Sequence, residues 1–235
     1  LKTISENDKV AAFVYEPLVQ GAAAMKMHDA EGLDIILEFC KTQNIITVAD
    51  EVMTGFGKTG KHFASLHLNN QPDIICLSKA LTAGLLPMAI TSCSQEIYNA
   101  FLSDDITKGF FHGHTYSANP LACTAALAGI ELLQSEDIQQ NIKRVIASHQ
   151  DFGERIKNHP KVANIRQTGI IFALDLDVQM ERYGNLRDQL FKFFMDNGVF
   201  LRPLGNTIYI LAPYVITDAE LEKVYKTIEA ALVTL

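Results

Sequence analysis

Short apolar runs that end in a polar or charged residue recur along the first half of the chain. Four of them are typical of strands and cover residues 10–15, 45–49, 74–77 and 88–93. Between the first two runs, apolar residues recur from Leu33 to Cys40 at the spacing of one helix face. Continuous apolar strands, some alternating with helices, predict an α/β fold with a largely parallel sheet buried on both faces.

A helix follows the four predicted strands, and the pattern then changes in the last hundred residues. Asn119-Pro120 is typical of a helix start, and the run that follows to about Gln134 is apolar on most sides, which predicts a buried helix. Beyond it, strands at 170–176 and 207–211 are interspersed with helices at 136–160, 186–196 and 218–232. The last helix opens with the capping box Thr217 to Glu220. We therefore predict part of a large sheet domain at residues 1–135 and a small α+β domain at 136–235.

Composition and charge indicate which kinds of molecule the chain could bind. The chain is 48% hydrophobic and 20% charged, which is typical of a globular protein. Its 20 basic and 27 acidic residues give a net charge of −7 without a basic cluster, which argues against nucleic acid and membrane partners and favours small molecules. The chain start lacks an apolar signal segment, and the four cysteines are widely spaced. We expect free, buried thiols and a cytoplasmic location.

Three charged residues follow the predicted strands, namely Glu16, Asp50 and Lys79. In parallel α/β sheets, ligands bind outside the carboxyl ends of the strands. Lys79 is the only charged residue between positions 74 and 95, so we expect a partly desolvated amine suited to Schiff-base chemistry. The alternative is a surface lysine whose ammonium reaches water. Asp50 is either an exposed strand-end charge or the partner of a cation such as the protonated ring nitrogen of pyridoxal phosphate.

Two further motifs have weaker chemical interpretations. The segment Gly55–Gly60 matches the dinucleotide-binding pattern G-x-G-x-x-G, but residues 50–54 intervene after the strand and no amphipathic helix opens at Gly60. Nucleotide binding therefore stays a minor alternative. His112 and His114 have no third ligand at a metal-binding spacing, so we predict no metal site. The hydroxyl residues that follow, from Thr115 to Ser117, precede a helix N-terminus and suit a phosphate.

Four long motifs in the same order resemble class III aminotransferases. They are Glu16-Pro17-Leu18-Val19-Gln20-Gly21, the segment 49–60, Leu77-Ser78-Lys79-Ala80-Leu81-Thr82-Ala83-Gly84, and the segment 112–122. The resemblance covers essentially the whole chain. It implies a fold type I enzyme that uses pyridoxal 5'-phosphate and forms a homodimer with active sites shared between the subunits.

The resemblance also implies roles for single residues. Lys79 corresponds to the Schiff-base lysine and Asp50 to the partner of the pyridine nitrogen, while Val52 takes the place of an aliphatic residue that packs on the ring. Thr115 resembles the residue that reaches the phosphate of the neighbouring subunit's cofactor. His114 stands beside it at a cofactor-binding position that acts mainly through its backbone, where some relatives have proline.

The C-terminal stretch 198–214 resembles one branch of the family in particular. That branch transfers an amino group from adenosylmethionine or lysine to 8-amino-7-oxononanoate in biotin biosynthesis. By this resemblance, Arg202 binds the substrate carboxylate, and Gly113 and Tyr209 lie beside the substrate. Ala23 and Ala24 stand where glycines are more usual in the branch. Another ω-aminotransferase of the family, acting on ornithine or 4-aminobutyrate, is the alternative.

The resemblance extends over only part of a typical family member. Members are nearly twice this length, and the chain resembles their C-terminal half. Their N-terminal portion carries the loop that cradles the cofactor phosphate and the aromatic residue that stacks on the ring. A fragment that folds or dimerises without catalysis is therefore a further alternative.

Overall fold

The computed structural model describes residues 9–178 and 184–234, which form two compact units. The first unit contains residues up to Leu18, His28–Gly57 and Lys61–Gln134. The second contains Val19–Met27, Lys58–Gly60 and the chain from Ser135 onward. Two short segments therefore belong to the second unit although their neighbours in sequence belong to the first.

A four-stranded sheet organises the first unit, in the order β1-β4-β5-β6. Its strands are β1 (Ala12–Tyr15), β4 (Ile46–Asp50), β5 (Ile74–Leu77) and β6 (Ile90–Cys93). The β1–β4 and β4–β5 pairs are parallel, as predicted, whereas β6 runs antiparallel to β5. The β5–β6 connection holds only the 3-10 turn Lys79–Thr82 and no crossover helix, which explains the reversal. All four residues of β6 are exposed, so the expectation of burial on both faces is wrong for this strand.

The helices of the first unit are α1 (Ala30–Thr42), α2 (Gln95–Ala100) and α3 (Pro120–Gln134). α1 buries the predicted face, with Leu33 and Cys40 in the core. α3 begins as predicted, because the Asn119 side chain accepts a hydrogen bond from the Ala122 amide at 2.9 Å. The predicted burial of α3 on most sides is wrong. One face packs against the 3-10 turn Lys79–Thr82, whereas Leu121, Leu127 and Leu132 are exposed.

The second unit is an antiparallel sheet with helices, as the α+β pattern predicts. Its main sheet has the order β7-β8-β9. The elements are α4 (Glu136–Ile156), β7 (Val162–Thr168), β8 (Ile171–Leu176), α5 (Asn185–Asp196), β9 (Thr207–Ile210) and α6 (Asp218–Thr234). The capping box is present: the Thr217 amide donates to Glu220 at 2.8 Å, and the Glu220 amide donates to the Thr217 hydroxyl at 3.3 Å. A two-stranded hairpin, β2 (Val19–Gln20) and β3 (Lys26–Met27), belongs to this unit.

Aromatic side chains build much of the core of the second unit. The rings of Phe152 and Tyr225 stack with their centroids 4.2 Å apart, and Phe172 and Phe194 are fully buried. The four cysteines are free; Cys40 is buried but Cys93 is exposed, contrary to the expectation that all are buried. Within residues 9–178 and 184–234, none of the helices combines the length and apolar character that a bilayer crossing requires.

Candidate active site

Three strand ends of the first unit place charged residues at one edge of the sheet. Glu16 follows β1, Asp50 is the last residue of β4, and Lys79 comes two residues after β5. Because β1, β4 and β5 are parallel, their carboxyl ends meet at the same edge. This is the edge at which parallel α/β sheets bind ligands.

Asp50 is half-buried and has a defined orientation. Its Oδ1 atom accepts a hydrogen bond from the Val52 amide at 3.0 Å, which turns the chain at the end of β4. Its Oδ2 atom accepts no hydrogen bond from residues 9–178 or 184–234. Val52 is itself half-buried in the turn that follows. One carboxylate oxygen is therefore fixed by the backbone, and the other is available to a ligand.

Lys79 is the first residue of the 3-10 turn and has a left-handed backbone, with φ at 43°. Its side chain is exposed, and its ammonium group makes no hydrogen bond or ion pair with the part of the chain that the structure describes. The expectation of a partly desolvated amine is therefore wrong for this chain. The apolar neighbours Leu77 and Leu81 are buried and leave the lysine on the open side of the turn. A left-handed backbone at a non-glycine residue is a strained feature of the kind found at functional sites.

Glu51 is a structural acid that the sequence interpretation overlooked. It is 0% exposed, and its carboxylate accepts hydrogen bonds from the amides of Ala64 and Ser65 at 2.6 and 2.8 Å. The Thr54 hydroxyl donates a third at 3.1 Å. These three hydrogen bonds hold the two ends of the segment 51–65 together, directly after Asp50. The available signal was a second acid next to Asp50 at the end of a buried strand.

The glycine-rich segment Gly55–Gly60 forms turns and opens no helix, which argues against dinucleotide binding. Its second half packs closely on the second unit's sheet: a Cβ atom at Gly169 would lie 2.3 Å from the Thr59 carbonyl carbon. The Ile170 amide donates to the Lys58 carbonyl at 3.0 Å. Within the motif itself, a Cβ atom at Gly55 would lie 2.9 Å from the Glu51 carbonyl oxygen, and Gly57 and Gly60 have φ at 93° and 89°, so these glycines serve tight turns and close backbone packing.

The histidine-rich loop is exposed from His112 to Thr115. His114 Nδ1 accepts a hydrogen bond from the Tyr116 amide at 3.1 Å, which stabilises the turn before α3. Gly113 has no heavy atom within 4 Å of its virtual Cβ position. Within the described ranges, no group of three or more His, Cys, Asp or Glu residues could hold a metal ion.

Arg202 and Tyr209 belong to the second unit. Arg202 is exposed between two buried neighbours, Leu201 and Pro203. Tyr209 lies half-buried on β9, paired in register with Ala173 of β8. The structure thus groups Asp50, Val52, Gly113, His114, Thr115 and Lys79 in one unit and these two residues in the other.

Several curated proteins with similar sequences carry the same name. The chain is 44% identical over 223 residues to the adenosylmethionine-8-amino-7-oxononanoate aminotransferase of Synechococcus elongatus, covering 93% of this chain and 51% of that protein. It is 35% identical over 234 residues to the protein of the same name from Staphylococcus aureus, covering 97% and 52%. The chain thus spans about half the length of the curated relatives it matches.

Several solved structures with a similar fold are transaminases. An (S)-enantioselective omega-transaminase from Thermomicrobium roseum superposes with a TM-score of 0.90 at 29% identity, covering 99% of this chain and 53% of that one. The PLP-bound amine transaminase of an uncultivated Pseudomonas species gives 0.90 at 30% identity, covering 99% and 55%. These likenesses confirm the predicted fold type I architecture. The family model for class-III aminotransferases matches residues 1–232, and the chain belongs to this family.

Proposed function

We propose that this protein transfers an amino group to 8-amino-7-oxononanoate, with adenosylmethionine or lysine as donor and pyridoxal 5'-phosphate as cofactor. The observation that carries the proposal is the parallel register that puts Asp50 and Lys79 at the same edge of the sheet. The name shared by the curated relatives and the stretch 198–214 support the choice of substrate. In the same proposal, the first unit is part of the cofactor-binding domain and the second is the small domain.

The chemistry of the two side chains fits this cofactor. A protonated pyridine nitrogen needs a carboxylate that accepts its hydrogen bond, and the Oδ2 atom of Asp50 is available for this. The carbonyl carbon of the cofactor needs an amine, and the exposed Nζ atom of Lys79 provides one. Neither group is held in an ion pair among the described residues.

Pyridoxal phosphate supplies an electron sink that stabilises negative charge at the carbon atom bearing the amino group. In the proposed reaction, Asp50 keeps the ring nitrogen protonated by its negative charge. Lys79 would hold the cofactor through its Nζ atom, and the same amine would accept and return the proton that moves during amino transfer. The Val52 amide holds the Asp50 carboxylate in place throughout.

The other predicted residues complete the cofactor and substrate contacts of the proposal. Val52 would pack on the ring, and Thr115 and His114 would bind the phosphate of the cofactor in a neighbouring subunit. For the substrate, Arg202 would bind the distant carboxylate with its planar fork of donors, while Gly113 and Tyr209 would lie beside the chain.

A homodimer is part of the same proposal. The first unit exposes large apolar side chains around the histidine loop and α3, including Phe110, Phe111, Tyr116 and Leu121, each at least 70% exposed. Apolar exposure on this scale is typical of a surface that another protein surface covers. A cytoplasmic location is also proposed, with the free cysteines as its support.

The experiment starts with the intact mass of the natural protein and then measures amino transfer. Adenosylmethionine and lysine are compared with ornithine and 4-aminobutyrate as donors, with 8-amino-7-oxononanoate as acceptor. Transfer from adenosylmethionine or lysine to this acceptor supports the proposal. Preference for ornithine or 4-aminobutyrate with another acceptor would favour a different ω-aminotransferase. Absence of both cofactor binding and transfer would favour a non-catalytic protein.

A further inference from the structure

Residues 19–27 form a hairpin of the second unit, and hydrogen bonds between the flanking residues Leu18 and His28 close its base. The hairpin begins immediately after Glu16, Pro17 and Leu18 at the carboxyl end of β1 and contains β2 and β3. At its base, the Leu18 amide donates to His28 Nε2 at 3.0 Å, and the His28 amide donates to the Leu18 carbonyl at 3.1 Å. Segments that follow the carboxyl ends of parallel strands are the ones that form ligand crevices.

The turn of this hairpin, Gly21–Met25, contains two consecutive left-handed residues. Ala24 has φ at 57° and Met25 has φ at 54°. L-residues avoid this region, and two in succession need an external reason to stay there. Of the two alanines that stand where glycine is more usual, only Ala24 has a positive φ. The carbonyl oxygens of Ala24 and Met25 face the same side chain.

Both carbonyl oxygens are bound by one side chain from 141 residues further along the chain. On β7, Arg166 donates from Nε to the Met25 oxygen at 2.8 Å and from Nη2 to the Ala24 oxygen at 2.5 Å. Its Nη1 atom donates to Asp175 Oδ2 at 2.5 Å. The planar guanidinium therefore has a partner on each of its three nitrogen atoms and holds the strained turn.

Asp175 links Arg166 on β7 to a further strand, β9. Asp175 lies on β8 and accepts a hydrogen bond from the Thr207 hydroxyl at 2.6 Å. Burial opposes its charge, but the hydrogen bonds from Arg166 and Thr207 lower the pKa of Asp175 overall. Thr207 is the first residue of β9, the strand that carries Tyr209. A connected set of polar bonds thus joins β9 to the hairpin turn.

We propose that Arg166 is a positioning residue for acceptor binding. It fixes the turn after β1 through the Ala24 and Met25 carbonyls and aligns that turn with the strand that carries Tyr209. Tyr209, beside the substrate in the proposed function, lies two residues after Thr207 on β9, so the bonds that fix the turn also hold the strand that carries this substrate contact. This inference rests on the proposed aminotransferase function for its substrate, but the fixing of the turn can be measured independently.

The test uses the natural protein and the variants Arg166→Met and Arg166→Lys. Arg155→Met is the matched control, because Arg155 is likewise an ion-paired arginine of the second unit, but its partners are Glu222 and Glu229 of α6 rather than the hairpin. Amide hydrogen exchange of the segment 18–28 is measured without substrate, and KM for 8-amino-7-oxononanoate is measured with it. Arg166→Met should raise exchange in the segment about tenfold or more and raise KM about tenfold with little change in kcat. Arg166→Lys should restore part of both, and Arg155→Met should change neither.

Unchanged exchange in a folded Arg166→Met protein would overturn the proposal, and so would raised exchange with an unchanged KM. If Arg166→Met does not fold, Asp175→Asn replaces it, since it weakens the Arg166 anchor while keeping the side-chain shape. Unchanged exchange in Asp175→Asn, or raised exchange with an unchanged KM, would then overturn the proposal. A wild-type protein without aminotransferase activity would reject the proposed function, and with it the substrate role. The exchange data would still show whether Arg166 fixes the turn.

Discussion

His149 Nδ1 lies 2.7 Å from the Tyr225 hydroxyl oxygen, in the core of the second unit. Both residues are buried, and the imidazole packs beside the Phe172 ring with a centroid distance of 5.5 Å. Burial in this aromatic setting lowers the pKa of His149 to about 4 and raises that of Tyr225. The pair is therefore neutral and hydrogen-bonded near neutral pH.

This pair predicts acid sensitivity of the second unit. In the unfolded chain His149 takes up a proton near pH 6.5, whereas in the folded protein it does so only near pH 4. The unfolded state therefore binds more protons between these values, and the free energy of unfolding falls as pH decreases through this window. The loss approaches about 3 kcal/mol at the lower limit. Urea unfolding of wild type and His149→Asn from pH 7 to pH 4 measures it; parallel curves for the two proteins would contradict the prediction.

Glu51→Gln should destabilise the first unit by about 1–3 kcal/mol, because the amide group keeps one acceptor oxygen and places a donor where three donors converge. The midpoint of thermal unfolding measures the change. Glu31→Gln is the control, since Glu31 is exposed on α1 and its loss should change the midpoint little. An equal effect of both substitutions would show that the buried hydrogen bonds of Glu51 add nothing.

Sequence patterns predicted those elements whose signal is local. The ends of α6 and its capping box follow from Thr217, Glu220 and the apolar stripe behind them. β7 was not predicted because its sequence, V-A-N-I-R-Q-T, has weak alternation and its residues are mostly half-buried. The apolar character of α3 indicated which residues could be buried, but not which element would cover them. For the same reason, the apolar sequence around Lys79 did not show that its side chain would be exposed.

Long-range polar contacts could not be predicted from the sequence when one partner is a backbone atom. Arg166 binds the carbonyls of Ala24 and Met25, which are backbone atoms and leave no trace in residue type. The unusual Ala24 was visible in the sequence, but its positive φ and its partner were not. In contrast, Asp50 and Lys79 could be placed at one sheet edge because strand direction follows from the α/β pattern.

Lys79→Ala should bind pyridoxal phosphate without a covalent bond and lose amino transfer by several orders of magnitude, because the proposed anchor and proton carrier is removed. Borohydride treatment of the wild-type holoenzyme followed by peptide mapping locates the attached lysine. Lys192→Ala, an exposed lysine paired with Asp196, is the control and should retain activity. Labelling of any other lysine would refute the role of Lys79.

Asp50→Asn should keep the fold but reduce the rate by orders of magnitude. The asparagine oxygen can still accept the hydrogen bond of the Val52 amide, so the turn after β4 is preserved. The negative charge that keeps the ring nitrogen protonated is lost, and with it most of the electron-sink effect. Single-turnover rates with matched thermal midpoints separate the two effects. A near-normal rate would reject the assignment of Asp50.

Arg202→Ala should weaken the acceptor half-reaction by roughly 30-fold or more, while the donor half-reaction changes less. Arg202 is exposed between the buried Leu201 and Pro203, so its backbone is fixed and its guanidinium is available to an anion. Removing one side of a substrate charge pair that is desolvated on binding costs about 2–5 kcal/mol. Arg202→Lys keeps the charge but loses the two-pronged hydrogen bonding, so it should recover part of the loss. Single-turnover kinetics of both half-reactions measure this, and small, equal effects on the two would remove the proposed carboxylate contact from Arg202.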